Sequence, residues 1–223
     1  MTLCCLVALL ALGSCAHERF AAEDRVASSA YRHTGYRATH SPWGTVIVRE
    51  LRDRRPSEEL GRENYLKDSW YSESLFARPV GVTIRELMLS ELDASDVLRS
   101  ATPPQPAEYL IDLRVLHFGA KADRDLIGLI PVIPSIDIEG IIEIEVKLTD
   151  PDGRPFLDER YRYEDSQLVA TIAGVEASAA ELMVQLMSRF MAEVVPAIDA
   201  AIPRLWESLG MRVPPSSQIS IAQ

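Results

Sequence analysis

The stretch Asp137-Ile-Glu-Gly-Ile-Ile-Glu-Ile-Glu-Val-Lys-Leu-Thr149 decides the fold, because its side chains alternate between an apolar and a charged face. This period of two residues is typical of a strand that is buried on one side only. The apolar face consists of Ile138, Gly140, Ile142, Ile144, Val146 and Leu148, and the opposite face of Glu139, Ile141, Glu143, Glu145 and Lys147. We expect the face that carries Glu139, Glu143 and Glu145 to meet water.

The segments on either side of this strand extend it into an antiparallel sheet. Asp150-Pro-Asp-Gly153 predicts a tight turn, since proline presets one bend and glycine tolerates a positive φ. The return strand runs from 154 to 164 with Leu157, Tyr161 and Tyr163 on one face. A strand of about ten residues begins at Tyr109, and the β-branched run from Thr45 to Leu51 predicts the first strand of the domain.

Two segments have the helical period instead. After Pro79, the apolar residues Ile84, Leu87, Met88 and Leu92 recur at helical spacing, opposite Arg85, Glu86, Glu91 and Asp93. A longer helical pattern runs from Gly174 to Leu209. Pro196 and Pro203 each remove a backbone donor from it, which predicts a kink or two helices.

The predicted order is therefore β-α-β-β-β-α. It favours an α+β two-layer sandwich, a mainly antiparallel sheet with two helices packed on one face. We assign this domain to residues 43–210 and a loose tail to residues 211–223.

The N-terminal residues have a different character. The run from Leu3 to Leu12 is apolar and uncharged but only half as long as the ~20 residues of a membrane-spanning helix. Its length is that of a signal-peptide core, which predicts a signal over residues 1–14. The alternatives are a secretory signal cut by another peptidase and an apolar N-terminal helix.

The run ends in Leu12-Gly13-Ser14-Cys15, which resembles the lipobox of bacterial lipoprotein precursors. The resemblance implies cleavage before Cys15, acylation of its thiol with palmitate among the chains, and anchoring in a membrane. Ala16 follows the cysteine, which in that family implies the outer membrane and a periplasm-facing domain.

Cysteine content and net charge exclude several kinds of site and several classes of binding partner. All three cysteines lie within the first fifteen residues, so the domain itself has neither a disulfide nor a cysteine-based metal site. A net charge of -10 argues against binding to nucleic acid and against adhesion to anionic lipid. We interpret residues 15–42 as the lipidated cysteine and a flexible polar tether, whose His17, His33 and His40 lack metal-ligand spacing.

The sequence contains no motif of a hydrolase, zinc protease, nucleotide-binding loop or dinucleotide fold, and we expect neither an enzyme nor a bound cofactor or metal. His117 is interpreted as a structural or edge histidine. The cluster from Arg52 to Pro56 is interpreted as a strand exit rather than a docking patch. The nearby acids are expected to be salt-bridged or solvated: Asp53, Glu58, Glu59 and Asp68.

One connector is unusually apolar. Six of its eight residues from 126 to 133 are large and hydrophobic: Leu126, Ile127, Leu129, Ile130, Val132 and Ile133. Pro131 and Pro134 prevent a regular helix there. Either the segment contacts a partner or a membrane, or it folds back and covers one end of the core.

Several short motifs carry a second resemblance. They are Asp53-Arg-Arg-Pro56, Leu60-Gly61, Arg78-Pro-Val80, Ala107-Glu-Tyr-Leu-Ile-Asp112 and Leu148-Thr-Asp-Pro-Asp-Gly153. Together they look like the YajG-like and ABC-transport-auxiliary lipoproteins, whose domain is similar to the N-terminal domain of TolB. The resemblance implies a non-enzymatic envelope lipoprotein that binds or assembles with an envelope protein, for example in transport. The alternative is a periplasmic carrier of lipid or a small ligand that uses residues 126–133.

Overall fold

A computed structural model describes residues 31–60, 69–72, 75–76, 78–102, 104–123, 136–169, 174–208 and 210. Within these ranges the strands are β1 (Thr45–Asp53), β2 (Ser69–Tyr71), β3 (Arg99–Ser100), β4 (Tyr109–Asp123), β5 (Ile136–Thr149) and β6 (Pro155–Val169). The helices are α1 (Val80–Ala94) and α2 (Val175–Ser208). The predicted α+β class is confirmed.

The strands form one mixed sheet in the order β3-β1-β4-β5-β6, and β2 pairs with β4. β1 is parallel to β3 and β4, whereas β2, β5 and β6 run antiparallel to their neighbours. The expected sheet was more uniformly antiparallel. The difference arises because α1 lies between β1 and β4 in the chain, and a helical crossover lets neighbouring strands run parallel. The sequence pattern predicts neither β2 nor β3, because at three and two residues these strands are too short to show a period.

The apolar face of β5 is buried as predicted. Its large side chains are fully covered, namely Ile138, Ile142, Ile144, Val146 and Leu148. We call this the inner face of the sheet and the opposite side the outer face. At Gly140 a Cβ atom would lie 2.9 Å from side-chain atoms of Leu182 and Leu186, so the glycine allows α2 to approach β5 closely.

α2 is one helix of 34 residues, so of the two predicted alternatives two separate helices are ruled out and the kink stays a prediction. Pro196 and Pro203 lie inside it. Each removes one backbone hydrogen bond, but Val194, Val195 and Ile198 are fully buried around the first of them. Packing against the sheet offsets the lost hydrogen bonds. Among the described residues no helix is both long and apolar enough to span a bilayer.

Candidate functional site

The two site predictions from the sequence, Cys15 and residues 126–133, lie outside the described residues. The structure does describe the strands that residues 124–135 connect. β4 and β5 are antiparallel neighbours whose pairing extends to Asp123 and Asp137. The apolar connector therefore joins two adjacent strands at one end of the sheet.

The described N-terminal segment, residues 31–43, lies along the two helices, and we call it the N-terminal strap. Its first contact is with Glu91 of α1, a carboxylate with only 1% of its side chain exposed. The Tyr31 hydroxyl donates to Oε1 of Glu91 at 2.6 Å, and Nδ1 of His33 lies 3.0 Å from the same atom. The hydroxyl of Thr34 donates to Oε2 at 3.1 Å. Burial, followed by the hydrogen bond to Glu91 and the negative charge there, raises the pKa of Tyr31 well above its usual range.

The second contact of the strap is with Asp199 of α2. The indole nitrogen of Trp43 donates to Oδ1 at 2.6 Å, and Nε2 of His40 lies 2.7 Å from the same oxygen. The hydroxyl of Tyr36 donates to Oδ2 at 2.6 Å. This hydrogen bond, followed by burial and the charge of Asp199, raises the pKa of Tyr36 to about 12. A single carboxylate thus holds three side chains of the strap.

These contacts change the interpretation of the predicted tether over residues 15–42. From residue 31 onward the described chain is bound to the helices, because two carboxylates collect its hydroxyl, imidazole and indole groups. Backbone bonds add to this, with Ala38 donating to the carbonyl of Ser95 at 2.8 Å. Glu91 was expected on the exposed face of α1, and that expectation is wrong because the strap covers it.

On the outer face of the sheet lies a second charged cluster, centred on Glu143. The sequence predicts that Glu143 meets water, but its side chain is 0% exposed, whereas Glu139 is exposed. The carboxylate is covered by the two arginines that bind it from the neighbouring strand β6. Arg162 donates to Oε2 at 2.8 Å, and Arg160 forms an ion pair with Oε1. A buried carboxylate needs such partners because an unpaired charge is expensive to desolvate.

His117 of β4 borders this cluster and joins it to the loop after β1. Its Nδ1 lies 2.5 Å from Oε1 of Glu59, a carboxylate with 4% of its side chain exposed, and its Nε2 lies 3.8 Å from Glu143. The backbone nitrogen of Phe118 donates to the other oxygen of Glu59 at 3.1 Å. These contacts agree with the interpretation of His117 as a structural histidine. They also show that Glu59, one of the four candidate acids, is buried and bound by His117 and the backbone of Phe118.

The Arg52–Pro56 segment has the local structure expected of a strand exit. Asp53 accepts a hydrogen bond from the backbone nitrogen of Arg55 at 3.1 Å and forms an ion pair with the Arg55 guanidinium. Burial raises the pKa of Asp53, but the hydrogen bonds and charge of Arg55 outweigh it and leave the pKa below its usual value. The Arg55 guanidinium also binds the Ser72 hydroxyl, which in turn donates to the carbonyl of Phe118 at 2.8 Å.

Two surface hollows lie on either side of the sheet. One of about 350 Å³ is on the outer face, where charged pairs such as Arg49 with Asp112 and Arg114 with Glu145 line it. The other, of about 420 Å³, lies between β6 and α2 beside Phe156, Leu157 and Ala200. Across the described ranges, no group of three or more His, Cys, Asp or Glu side chains is arranged to hold a metal ion.

The sequence reasoning missed the acids that organise these sites, Glu91, Glu143 and Asp199. Each looks like an ordinary exposed acid in its own strand or helix. A usable signal was the richness of the 31–43 segment in tyrosine, histidine and tryptophan, which is unusual for a solvated linker.

Comparisons with known proteins give a limited result. No family model matches the chain, and no curated protein matches it.

Several solved structures are similar to the described fold. A Xanthomonas campestris protein of the family DUF330 has 13% identity over 77% of this chain and 94% of that chain, with a TM-score of 0.49. Uncharacterized lipoprotein B of Nitrosomonas europaea has 10% identity over 78% and 96% of the two chains, at a TM-score of 0.42. Rare lipoprotein B of Shewanella oneidensis has 12% identity over 74% and 98%, at a TM-score of 0.30. Identities this low and TM-scores below 0.5 carry no argument about what this chain binds. The resemblance to YajG-like and TolB-like domains stays a prediction.

Proposed function

We propose that the chain is a lipid-anchored, non-enzymatic component of the bacterial cell envelope that binds or assembles with an envelope protein. The observation that carries the proposal is the apolar run from Leu3 to Leu12 followed by Leu-Gly-Ser-Cys15. Acylation of Cys15 anchors the domain, and Ala16 directs it to the outer membrane, with the domain facing the periplasm.

The strap supports this proposal by giving the anchor a firm attachment. Hydrogen bonds to Glu91 and Asp199 hold residues 31–43 to both helices. Residues 15–30 then form the link between lipid and domain, and sixteen residues reach at most about 55 Å. The domain therefore stays close to the bilayer, and a pull on the lipid acts on α1 and α2 rather than on β1 alone.

Charge supports a lipid anchor rather than surface adhesion. The net charge of -10 gives no general attraction to anionic lipid headgroups. Durable attachment then needs two or more acyl chains, because a single chain binds only marginally. A lipoprotein with three chains on its first residue meets that requirement.

We assign the binding role to the apolar connector, with Leu126, Ile127, Leu129, Ile130, Val132 and Ile133 as contact residues. Exposed apolar segments are typical of interaction sites, and we propose that this connector is one of them. The second candidate function is a carrier of lipid or a small ligand, in which this segment covers the ligand. The hollow of about 420 Å³ between β6 and α2 does not support this candidate, because it lies beside Phe156 and Leu157 at the start of β6, whereas the connector adjoins the end of β6, where Leu168 pairs with Asp137.

Two aspartate variants, Leu129→Asp and Ile130→Asp, distinguish these functions in chemically cross-linked envelopes. Assembly predicts that the cross-linked partner is lost, whereas a carrier keeps the partner and loses co-extracted lipid. Leu60→Asp is the matched control, since Leu60 is an exposed leucine, 45% accessible, in another loop. If both variants keep both partner and lipid at the level of Leu60→Asp, neither function resides in the connector.

A further inference from the structure

His40 of the N-terminal strap has a hydrogen-bond acceptor at each of its two ring nitrogens. Nδ1 lies 2.6 Å from the carbonyl oxygen of Ser41, and Nε2 lies 2.7 Å from Oδ1 of Asp199. A backbone carbonyl and a carboxylate can only accept hydrogen bonds, so both nitrogens have to donate. An imidazole carries two N–H groups only when it is protonated. The surroundings of His40 therefore fit an imidazolium and not a neutral ring.

Two further features of this site favour a positive charge. The ring of His40 lies over that of Trp43, with 4.1 Å between the ring centroids, and the face of an indole attracts cations. The side chains of His40 and Asp199 are only 22% and 12% exposed. Their attraction is therefore screened less by water than that of a surface pair.

His33, the other histidine of the strap that binds a helix, has different surroundings. Its Nδ1 lies 3.0 Å from Oε1 of Glu91, and its side chain is 52% exposed. Within the described ranges no protein group bonds to its Nε2, so water can serve that nitrogen. A neutral His33 with its proton on Nδ1 therefore satisfies the contact. Only His40 requires the second proton, and His33 is its natural control.

We propose that His40 makes the attachment of the strap to α2 depend on pH, so that the strap is held most firmly while His40 is protonated. Loss of the proton leaves a lone pair of one ring nitrogen facing the oxygen of either Ser41 or Asp199, and it removes the attraction between opposite charges. Histidine ordinarily changes charge between about pH 5 and pH 8. The attachment is therefore strongest at the acidic end of this range and weaker at the alkaline end.

The other titratable groups around His40 do not change charge in this range. Tyr36 donates to Oδ2 of Asp199, and its pKa of about 12 keeps it protonated. Arg37 of the strap pairs with Asp96, in the turn after α1, at 3.1 Å. Among the described residues no further charged side chain forms a hydrogen bond or an ion pair with His40 or Asp199. The pH dependence of this contact is therefore that of His40.

A looser strap lengthens the link between the lipid and the domain. This consequence rests on the proposed lipid anchor, whereas the pH dependence of the strap does not. When His40 is neutral, the tyrosine hydroxyl and the indole of the strap still bind Asp199, so the strap opens only transiently. While it is open, residues 15–43 can span up to about 100 Å, against about 55 Å for residues 15–30 alone. The pH then sets how often the domain can reach farther from the membrane.

Amide hydrogen exchange of the full chain measures how often the strap opens. The backbone nitrogens of Ala38 and Trp43 report on it, because they donate to the carbonyl oxygens of Ser95 and Val97 at 2.8 and 2.9 Å. Raising the pH from 5.5 to 8 should lower their protection about tenfold after correction for the intrinsic rate, as expected for the loss of one hydrogen bond to a charged group. The amides of β5 serve as the reference and should keep their protection.

Three variants show whether His40 is the cause. His40→Gln should have the protection of the wild type at pH 8 under both conditions, because glutamine cannot gain a charge. His33→Gln should keep the tenfold fall. Cys15→Ser, which removes the lipid attachment point, should keep it as well, so a failure of the pH dependence is distinguishable from a failure of the anchor. The proposal is overturned if wild-type protection is equal at both pH values, or if His40→Gln shows the same fall.

Nitrogen NMR of the imidazole rings supplies a readout that needs no variant. At pH 7 both ring nitrogens of His40 should carry a proton in the wild-type chain. A singly protonated His40 at this pH, with the amides of Ala38 and Trp43 still protected, would overturn the proposal, because the strap would then be docked without the second proton.

Discussion

Oδ1 of Asp199 lies 2.6 Å from the indole nitrogen of Trp43, a contact between residues 156 positions apart in the chain. It joins the end of the strap, just before β1, to the second half of α2. Two further strap residues, Tyr36 and His40, bind the same carboxylate. Asp199 is therefore the residue through which α2 holds the N-terminal strap.

Removing this carboxylate should loosen the strap. We expect Asp199→Ala to lower the free energy of unfolding by about 2–4 kcal/mol, because hydrogen bonds to a charged group contribute about 1.5–3 kcal/mol each and the released donors regain water. Urea unfolding followed by tryptophan emission measures it, and Trp43 should become more exposed. Glu207→Ala, at the exposed end of the same helix, is the control and should change stability by less than about 0.5 kcal/mol. Equal effects of the two variants would contradict the role of Asp199.

The same site predicts a loss of stability in alkali. The pKa of Tyr36 is raised to about 12 in the folded protein, against about 10 in an unfolded chain. Its contribution to the free energy of unfolding is therefore fully present below about pH 10 and is lost as the pH rises towards about 12. The measurement is the stability difference between wild type and Tyr36→Phe over this range, which removes the effect of the other tyrosines. The difference should shrink with rising pH, and a constant difference would be inconsistent with the bond to Asp199.

The cluster on the outer face gives a third prediction. Glu143→Ala should lower the free energy of unfolding by about 1–2 kcal/mol, a modest value because Arg160 and Arg162 are half exposed and can be rehydrated. Glu145→Ala is the matched control on the same strand, where the glutamate is 30% exposed and pairs with Arg114. It should cost less than about 1 kcal/mol. A smaller loss of stability for Glu143→Ala than for Glu145→Ala would mean that the buried ion pairs of Glu143 do not stabilise the fold.

Packing of α2 on β5 gives a fourth prediction. Gly140→Ala should destabilise the protein by about 1–2 kcal/mol, because the new methyl group would meet Leu182 and Leu186 at 2.9 Å. The gain from replacing a strand glycine, about 0.5–1 kcal/mol, offsets only part of this. Thermal unfolding measures the effect, and adding Leu186→Val should recover part of the loss by making room. A Gly140→Ala variant as stable as wild type would show that the close approach of α2 to β5 does not require a glycine at position 140.

The parts of the fold that the sequence predicts are those encoded locally. The two faces of β5 follow from its period of two, and the turn at Asp150–Gly153 follows from its residues, with Gly153 at a φ of +86°. The parallel pairing of β1 is not local, because it depends on how the chain crosses over α1. Pro196 does not divide α2 into two helices, because burial along the sheet outweighs one missing hydrogen bond.

The charged sites were predicted poorly for the same reason. Glu91 binds Tyr31 across 60 residues, and Glu59 approaches His117 across 58, so no short window contains both partners. The alternating pattern of β5 predicts that Glu143 is exposed. Its burial depends on Arg160 and Arg162, which lie on the neighbouring strand β6. Tertiary contacts determine which of these acids are buried, and the period of the sequence alone does not predict those contacts.

The most direct test of the central claim is the intact mass of the protein extracted from membranes, beside a Cys15→Ser variant. A lipid-anchored protein should show a chain that begins at Cys15 and carries added acyl chains, and the variant should lack that species. A wild-type mass without acyl chains, or a mature chain that begins elsewhere, would contradict the account.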